Sequence, residues 1–258
     1  MIMGLRITIG TLRLLAAAVG VVALTARFIY GLGFRSFVSV DFFGYLTMQS
    51  NIAAVVVFTV AGIAAVRGRP ESRLLSTARA LVTCFLLVAG IVFAILVSQA
   101  PLFGYTIEVP WSDRVLHFVL PAYALADWLI APRRRKVRWR AILFAVGYPV
   151  VWGIVTIIRG EFVGWYPYFF LDPAQAGYPV PFIVYSAAAL ALFALIETGL
   201  IAVSRVAPLG QGSPPGAGAR RATLRAGRLR RLVHLRRRRG LVGGDAVRTR
   251  RGRASGSS

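Results

Sequence analysis

The chain has 258 residues, of which 57% are hydrophobic and only 16% are charged, and its formal net charge is +22. A soluble domain carries about a quarter charged residues and close to half apolar ones, so the excess of apolar side chains is predicted to face lipid. The mean hydropathy of +0.67 agrees with this. Composition therefore excludes an ordinary soluble domain and predicts an integral membrane protein.

The positive charge is concentrated in a few segments. After residue 204 there are 15 arginines and one acidic residue, Asp245. The other basic residues lie mostly in short segments between apolar runs, which is typical of the cytoplasmic loops of membrane proteins. Cys84 is the only cysteine, so neither an intrachain disulfide nor a cysteine metal cluster can form. No metal site and no cofactor are predicted.

Six apolar runs are long enough to cross a hydrocarbon core, which needs about 20 residues. Backbone groups in lipid have to pair within their own segment, so each run is predicted to be a helix. In chain order the runs are residues 12–30, 45–66, 78–99, 114–131, 141–158 and 181–204. The sequence thus predicts an all-α, polytopic bundle of six transmembrane helices within a domain of residues 1–207.

The loops predict the orientation of this bundle. Basic residues cluster at the start of the chain, after the second and fourth runs, and after the sixth, whereas most acidic residues lie in the alternate loops. The positive-inside rule then places both termini in the cytoplasm of a multi-pass protein of the cell membrane. The alternative is a cleaved signal peptide ending near "ALTA", which would leave five spans. The apolar run continues past Arg27 through "FIYG", which favours the helix.

Residues 208–258 are predicted to form a disordered, arginine-rich cytoplasmic tail. The segment opens with the linker "GQGSPPGAGA" and has too few apolar residues to bury a core. In an alternative interpretation, "RLRRLVHLRRRR" forms a basic amphipathic helix on anionic lipid headgroups. No aromatic residues are interleaved with these arginines, so no specific nucleic-acid partner is expected. Membrane lipids are the predicted partners.

Polar residues open the second apolar run, in the stretch "GYLTMQSN". Thr47, Ser50 and Asn51 are spaced i, i+3 and i+4, so they share one helical face. In the fourth run, His117 lies about one turn from the predicted outer end of its helix. At 1.5 Å per residue, Thr47 and His117 are at similar depth near the outer boundary of the membrane. They are expected to meet if these two helices are neighbours.

These residue types suit acyl transfer. A threonine hydroxyl becomes a nucleophile when a base takes its proton, and a neutral histidine has a suitable pKa. Asp113 precedes His117 by four residues and is predicted to hold the imidazole tautomer, while Asn51 is a candidate oxyanion donor and Ser50 a substitute nucleophile. The structural alternative is that the hydroxyls bond to carbonyls of their own helix and that Asp113 or Ser112 caps the fourth helix.

Three segments, "FFGYLTMQSN", "HFVLPAYALADW" and "GWYPYFFLD", resemble the signatures of the androgen-induced, FAR-type family of six-helix membrane proteins, which has a bacterial branch. The resemblance covers residues 41–185 in order. Animal members are intramembrane threonine hydrolases that cleave fatty-acid esters of hydroxy fatty acids. The resemblance implies that Thr47 is the nucleophile and His117 the base. The family's third signature has a second proline, where this chain has Phe169 and Phe170 after Tyr168.

The long loop before the last run is rich in aromatic residues. Tyr166, Pro167, Tyr168 and Asp172 are predicted to form a lid that excludes bulk water from the site. The alternative is an interfacial aromatic segment with no gating role.

Two other functions are compatible with the sequence. Ionisable groups inside a membrane are costly and usually functional, so Asp127 and Glu197 are candidates for the path of a transporter or of a proton- or ion-conducting protein. Asp127 is alternatively expected to face the arginines at 133–135, with Trp128 in the interfacial aromatic belt. The third possibility is a membrane scaffold or accessory protein without catalytic activity, tethered by its arginine-rich tail.

Overall fold

The computed structural model of the chain describes residues 2–104, 106–131 and 134–206. The predicted tail at 208–258 lies outside the described residues, so its disorder and its lipid contacts stay predictions. The described residues contain helices and no strand. The α-helices in chain order are α1 (Ile2–Leu32), α2 (Ser39–Gly44), α3 (Leu46–Val66), α4 (Arg73–Gln99), α5 (Trp111–Arg114), α6 (Leu120–Ile130), α7 (Ala141–Val163), α8 (Pro173–Ala176) and α9 (Val180–Val203).

Three shorter helical turns complete this part of the chain: 3-10 turns at Ala100–Phe103 and Phe169–Leu171, and a π-helical turn at Val115–Val119 that joins α5 to α6. Within the described residues, five helices are long and apolar enough to cross a membrane: Met3–Leu32, Leu46–Val66, Arg73–Leu102, Ala141–Val163 and Val180–Val203. The prediction of an all-α fold with several helices able to span a membrane is confirmed to this extent, whereas the sixth span and the orientation stay predictions.

The long helices extend beyond several of the predicted apolar runs. α1 begins at Ile2 instead of residue 12, and α4 begins at Arg73, where the Ser72 hydroxyl accepts a hydrogen bond from the Leu75 amide at 3.1 Å. α7 continues to Val163 and is capped by Gly164, whose φ of 64° is favourable for glycine. Hydropathy detects the hydrocarbon core alone, whereas helices continue through the polar interfaces on either side.

α1 packs against α3 as part of the bundle. A Cβ atom added at Gly10 would lie 2.9 Å from the carbonyl oxygen of Gly62, and one added at Gly62 would lie 2.9 Å from the carbonyl oxygen of Gly10. This close approach of two backbones is the small-residue packing that stabilises helix pairs in lipid. The first long helix is thus in close backbone contact with the second.

Buried charges connect α1 with the start of α4 and the end of α6. Nη1 of Arg79 donates to both carboxylate oxygens of Glu71, at 2.9 and 2.8 Å, and its Nη2 donates to the Asp127 carboxylate. Nε of Arg13 donates to the second oxygen of Asp127 at 2.9 Å. The side chains of Arg13, Arg79 and Asp127 are at most 5% exposed. Two guanidinium groups thus balance two carboxylates, which makes their burial tolerable.

This arrangement corrects the predicted surroundings of Asp127 and Trp128. Asp127 pairs with Arg13 of α1 and Arg79 of α4, and neither Arg134 nor Arg135 forms an ion pair with it; Arg133 lies outside the described residues. Arg134 donates to backbone carbonyls, including those of Trp128 and Val203. Trp128 is fully buried, and its indole N–H donates to the Leu200 carbonyl at 3.1 Å. It is a core residue and not part of an interfacial belt.

Replacement of Arg79 is expected to lower the free energy of unfolding of the bundle, because Glu71 and Asp127 would lose a buried partner. Breaking such a pair costs roughly 3–5 kcal/mol. Thermal unfolding of purified Arg79→Met in detergent is expected to show a much lower midpoint than the wild-type protein. Arg73→Met is the matched control, since Arg73 is exposed at the start of the same helix. Equal midpoints for the two variants would contradict a structural role for the charge network.

Candidate functional site

A cavity of about 910 Å³ lies among α1 to α5, the π-helical turn, α7, α9 and the segment at 165–171. This volume is near the upper end of the range for ligand pockets, about 300–1,000 Å³. Most of the lining side chains are aliphatic or aromatic. The polar and charged lining residues include Arg27, Asp41, Thr47, Ser50, Asp113, His117, Tyr168 and Ser186. The cavity therefore has the general composition of a site for a largely apolar ligand.

The charged lining residues lie at one end of the cavity, here called the polar end: Arg27 near the end of α1, Asp41 in α2 and Asp113 in α5. The opposite part, the apolar arm, runs between α4, α7 and α9 as far as Phe85 and Phe193. The lining residues of α9 run from Phe182 to Phe193, which at 1.5 Å per residue is about 16 Å. The apolar arm is thus long enough to accept an extended hydrocarbon chain.

Thr47 is the second residue of α3 and is 7% exposed. Its Oγ1 lies 2.9 Å from Oη of Tyr168, with either atom able to donate. Its backbone carbonyl accepts hydrogen bonds from Ser50 Oγ at 2.8 Å and from Asn51 Nδ2 at 2.9 Å. The side chains of Ser50 and Asn51 therefore form hydrogen bonds within the first turn of their own helix. One N–H of the Asn51 amide is engaged by this carbonyl, and the role of Asn51 as an oxyanion donor stays a prediction.

His117 lies in the π-helical turn and is 6% exposed. Its Nδ1 is 3.0 Å from the backbone carbonyl oxygen of Asp113. A carbonyl oxygen only accepts, so Nδ1 carries the hydrogen and Nε2 carries the basic lone pair of the neutral ring. The imidazole also stacks on Phe93, with ring centroids 3.8 Å apart and planes 18° from parallel. These two contacts fix both the tautomer and the orientation of the ring.

The carboxylate of Asp113 has a different role from the predicted one. Its Oδ1 lies 2.8 Å from Nε of Arg27 in α1, while the backbone carbonyl of the same residue holds His117. The helix itself begins at Trp111 after Pro110, without a side-chain cap. Asp113 is therefore neither the carboxylate that orients the imidazole nor an N-cap. It forms an ion pair at the polar end of the cavity.

Pro121 explains the π-helical turn. Proline has no N–H to donate to the carbonyl four residues earlier, and its ring clashes with that carbonyl in a regular α-helix. Here that carbonyl belongs to His117, and the Leu120 N–H bonds instead to the Val115 carbonyl, five residues back. Such turns occur frequently at functional sites. The spacing of histidine and proline in "HFVLP" is the signal that sequence reasoning missed.

Gly90 allows α4 to approach this turn. A Cβ atom at Gly90 would lie 2.4 Å from the carbonyl oxygen of His117, a distance that two non-bonded atoms cannot adopt without movement of one backbone. The absence of a side chain at this position therefore helps to place the imidazole in the cavity wall.

Thr47 and His117 line the same cavity, as the depth argument requires. Within the described residues, the hydroxyl of Thr47 bonds to Tyr168 and no direct hydrogen bond joins it to the imidazole. Nε2 of His117 has no hydrogen-bond partner in the same part of the chain. The hydroxyl-bearing Thr47 and the imidazole of His117 thus line one cavity, and Tyr168 is in contact with the Thr47 hydroxyl.

The four predicted lid residues separate into two pairs. Pro167 and Tyr168 line the cavity. Tyr166 points away and donates to the Glu161 carboxylate at 3.1 Å, while the Asp172 carboxylate accepts from the Ala174 amide at 2.9 Å and caps α8. Tyr166 and Asp172 thus hold the ends of the loop, and Pro167 and Tyr168 contact the site. The direct contact between Tyr168 and the hydroxyl was not predicted from the sequence.

Aromatic rings hold Tyr168 in place. Its ring is nearly parallel to that of Phe170, with centroids 5.3 Å apart, and it meets the rings of Tyr45 and Trp152 at steep angles. Removal of the hydroxyl from water raises the pKa of Tyr168 to about 12. Tyr168 is therefore protonated at neutral pH and has a hydrogen to donate.

The two candidate transport residues have different surroundings. Asp127 is occupied by Arg13 and Arg79 in the charge network. Glu197 is fully buried in α9, and neither of its carboxylate oxygens has a hydrogen-bond partner in the described part of the chain. Neither residue lines the cavity. The structure thus does not join them to the site around Thr47.

Comparisons of the chain with family models, with curated proteins and with solved structures find no match. The resemblance to the androgen-induced family rests on the three sequence segments and stays a hypothesis.

Replacement of Gly90 by alanine is expected to lower the free energy of unfolding by about 1–3 kcal/mol, the usual cost of overpacking a tight contact. Unfolding midpoints of the purified variants measure the effect. Gly147→Ala in α7 is the matched control, since a Cβ atom there meets nothing within 4 Å. If both variants unfold like the wild-type protein, the contact between α4 and the His117 turn does not constrain the site.

Proposed function

We propose that this protein is an intramembrane hydrolase of lipid esters, with Thr47 as the nucleophile and His117 as the general base. The observation that carries the proposal is that the buried hydroxyl and the buried imidazole line one cavity whose remaining walls are mostly apolar. The oriented ring supports it as well, because Nδ1 is engaged and Nε2 is left to accept a proton. The motif resemblance points to the same pair.

The proposal includes residues 111–130 as a sixth span in the cell membrane. α5, the π-helical turn and α6 follow one another without a break, and at 1.5 Å per residue they cover about 30 Å, the thickness of the hydrocarbon core. Six spans place both termini on the arginine-rich, cytoplasmic side. Thr47 and His117 then lie near the outer boundary, where an ester group can meet water while its acyl chain stays in lipid.

The reaction proceeds through an acyl-enzyme in this proposal. Oγ1 of Thr47 attacks the ester carbonyl carbon while its proton passes to Nε2 of His117. The ester C–O bond then breaks, and His117 returns the proton to the departing alkoxide. Water adds to the acyl-threonine with His117 again as base, which releases the fatty acid and restores the hydroxyl. The Asp113 carbonyl keeps its bond to Nδ1 throughout.

The apolar arm would hold the acyl chain. Each buried CH₂ group contributes about 0.8 kcal/mol relative to water, so the arm would fix the position of the carbonyl along the bundle. Two ion pairs lie beside the polar end, Arg27 with Asp113 and Arg159 with Asp41 at 2.5 Å. Because the charges within each ion pair balance, the polar end carries little net charge, which suits an uncharged ester group.

A fluorophosphonate probe is expected to label the purified protein at Thr47. In that reaction Oγ1 bonds to phosphorus and fluoride leaves, so Thr47→Ala abolishes labelling. His117→Ala slows labelling about 10²–10⁴-fold, the usual contribution of a general base. Thr59→Ala is the control, since the Thr59 hydroxyl bonds to the Val55 carbonyl of the same helix. Mass spectrometry of the labelled peptide locates the adduct. Labelling that persists in Thr47→Ala overturns the proposal and makes Ser50 the next residue to test.

A proton-conducting protein is the second candidate, and Glu197 is the observation that favours it. A fully buried carboxyl group without a partner is costly when ionised, so Glu197 is a candidate site for proton uptake and release. Proton flux in liposomes that is lost in Glu197→Gln would support this function. Asp127 is a weaker candidate, because two arginines already hold it.

The third candidate, a scaffold that uses its arginine-rich tail, can be distinguished by experiment from the hydrolase and from the proton-conducting protein. Deletion of residues 208–258 removes the function of such a scaffold. For the hydrolase, labelling of Thr47 is expected to survive this deletion, since the residues around the cavity lie within 1–207.

A further inference from the structure

The hydroxyl of Tyr168 occupies the position next to the reacting oxygen. Its Oη lies 2.9 Å from Oγ1 of Thr47, although the two residues are 121 positions apart in the chain. No other side chain among the described residues makes a hydrogen bond to this threonine hydroxyl. This hydrogen bond connects the loop before α9 to the start of α3.

Either hydroxyl can donate in this bond. Nδ1 of His117 donates to the Asp113 carbonyl, so Nε2 is the nitrogen that accepts the Thr47 proton in the proposed reaction. Once that proton turns towards Nε2, the threonine oxygen accepts from Tyr168, which is protonated at neutral pH and supplies the hydrogen.

We propose that Tyr168 is a further catalytic residue, which donates the hydrogen bond that stabilises the oxyanion during acyl transfer. This rests on the function proposed above. When Oγ1 attacks, electrons of the C=O double bond move onto the carbonyl oxygen, which is then attached to the same carbon as Oγ1. A donor already in contact with Oγ1 is in reach of that oxyanion. The O–H group turns from one oxygen to the other, and Tyr168 keeps its proton.

Two features of the site agree with this role. The amide of Asn51, the donor that the sequence indicates, is engaged by the Thr47 carbonyl. The ring of Tyr168 is held by Phe170, Tyr45 and Trp152. Because the ring is fixed in advance, only the O–H bond has to turn as charge develops, and a small reorganisation of this kind favours strong stabilisation of an oxyanion.

Tyr168→Phe removes the hydroxyl and retains the ring. We expect kcat for hydrolysis of p-nitrophenyl decanoate to fall about 10²–10³-fold, the usual effect of losing one oxyanion donor, with KM nearly unchanged. The rate of fluorophosphonate labelling at Thr47 falls in parallel, while the final extent of labelling stays at the wild-type level. Tyr166→Phe is the matched control, since its hydroxyl bonds to Glu161 and not to the site; it retains wild-type rates.

Other outcomes overturn the inference. Faster labelling of Tyr168→Phe means that the hydroxyl locks Thr47 instead of assisting it. Unchanged rates mean that it has no part in the reaction. A raised KM with unchanged kcat assigns it to binding, and a lower final extent of labelling assigns it to folding. If the wild-type protein is not labelled at Thr47, the proposed function itself fails, and this result is distinct from a failure of Tyr168→Phe alone.

Discussion

Inside a lipid bilayer, a polar group has to find its partner within the protein, and the two ends of this bundle meet that constraint differently. Where α4 begins, Arg13, Arg79, Glu71 and Asp127 neutralise one another almost completely. At the other end, the Thr47 hydroxyl and Nε2 of His117 border a cavity and keep the capacity for further hydrogen bonds. The first arrangement stabilises the fold. The second is the kind of site at which chemistry becomes possible.

Features that depend on local geometry could be predicted from the sequence. Apolar runs predicted the long helices, because hydrocarbon thickness and helical rise together set a length. The spacing of Thr47, Ser50 and Asn51 predicted that they share one face. The similar depth of Thr47 and His117 predicted that they could meet, and both line the same cavity. Helix ends were less accurate, as at Ile2 and Arg73, because hydropathy does not detect helical residues in the polar interface.

Contacts between distant segments could not be predicted. Asp127 pairs with Arg13, 114 positions away, and Tyr168 reaches Thr47 across 121 positions. Each contact depends on which helices are neighbours and how they are rotated, and helical periodicity specifies neither. The predicted role of Asp113 was corrected for a related reason. Its carboxylate was assigned to the imidazole by its spacing, but an arginine of another helix binds it instead.

The π-helical turn before Pro121 has a consequence for which changes of length the chain can tolerate. A wide turn holds one residue more than regular α-helical geometry requires. Deletion of a single residue between Asp113 and Pro121 would remove this surplus and return the segment to α-helical spacing. The Pro121 ring would then meet the carbonyl four residues before it, which is the clash that the wide turn avoids. In this segment, the number of residues constrains the protein as strongly as their identity does.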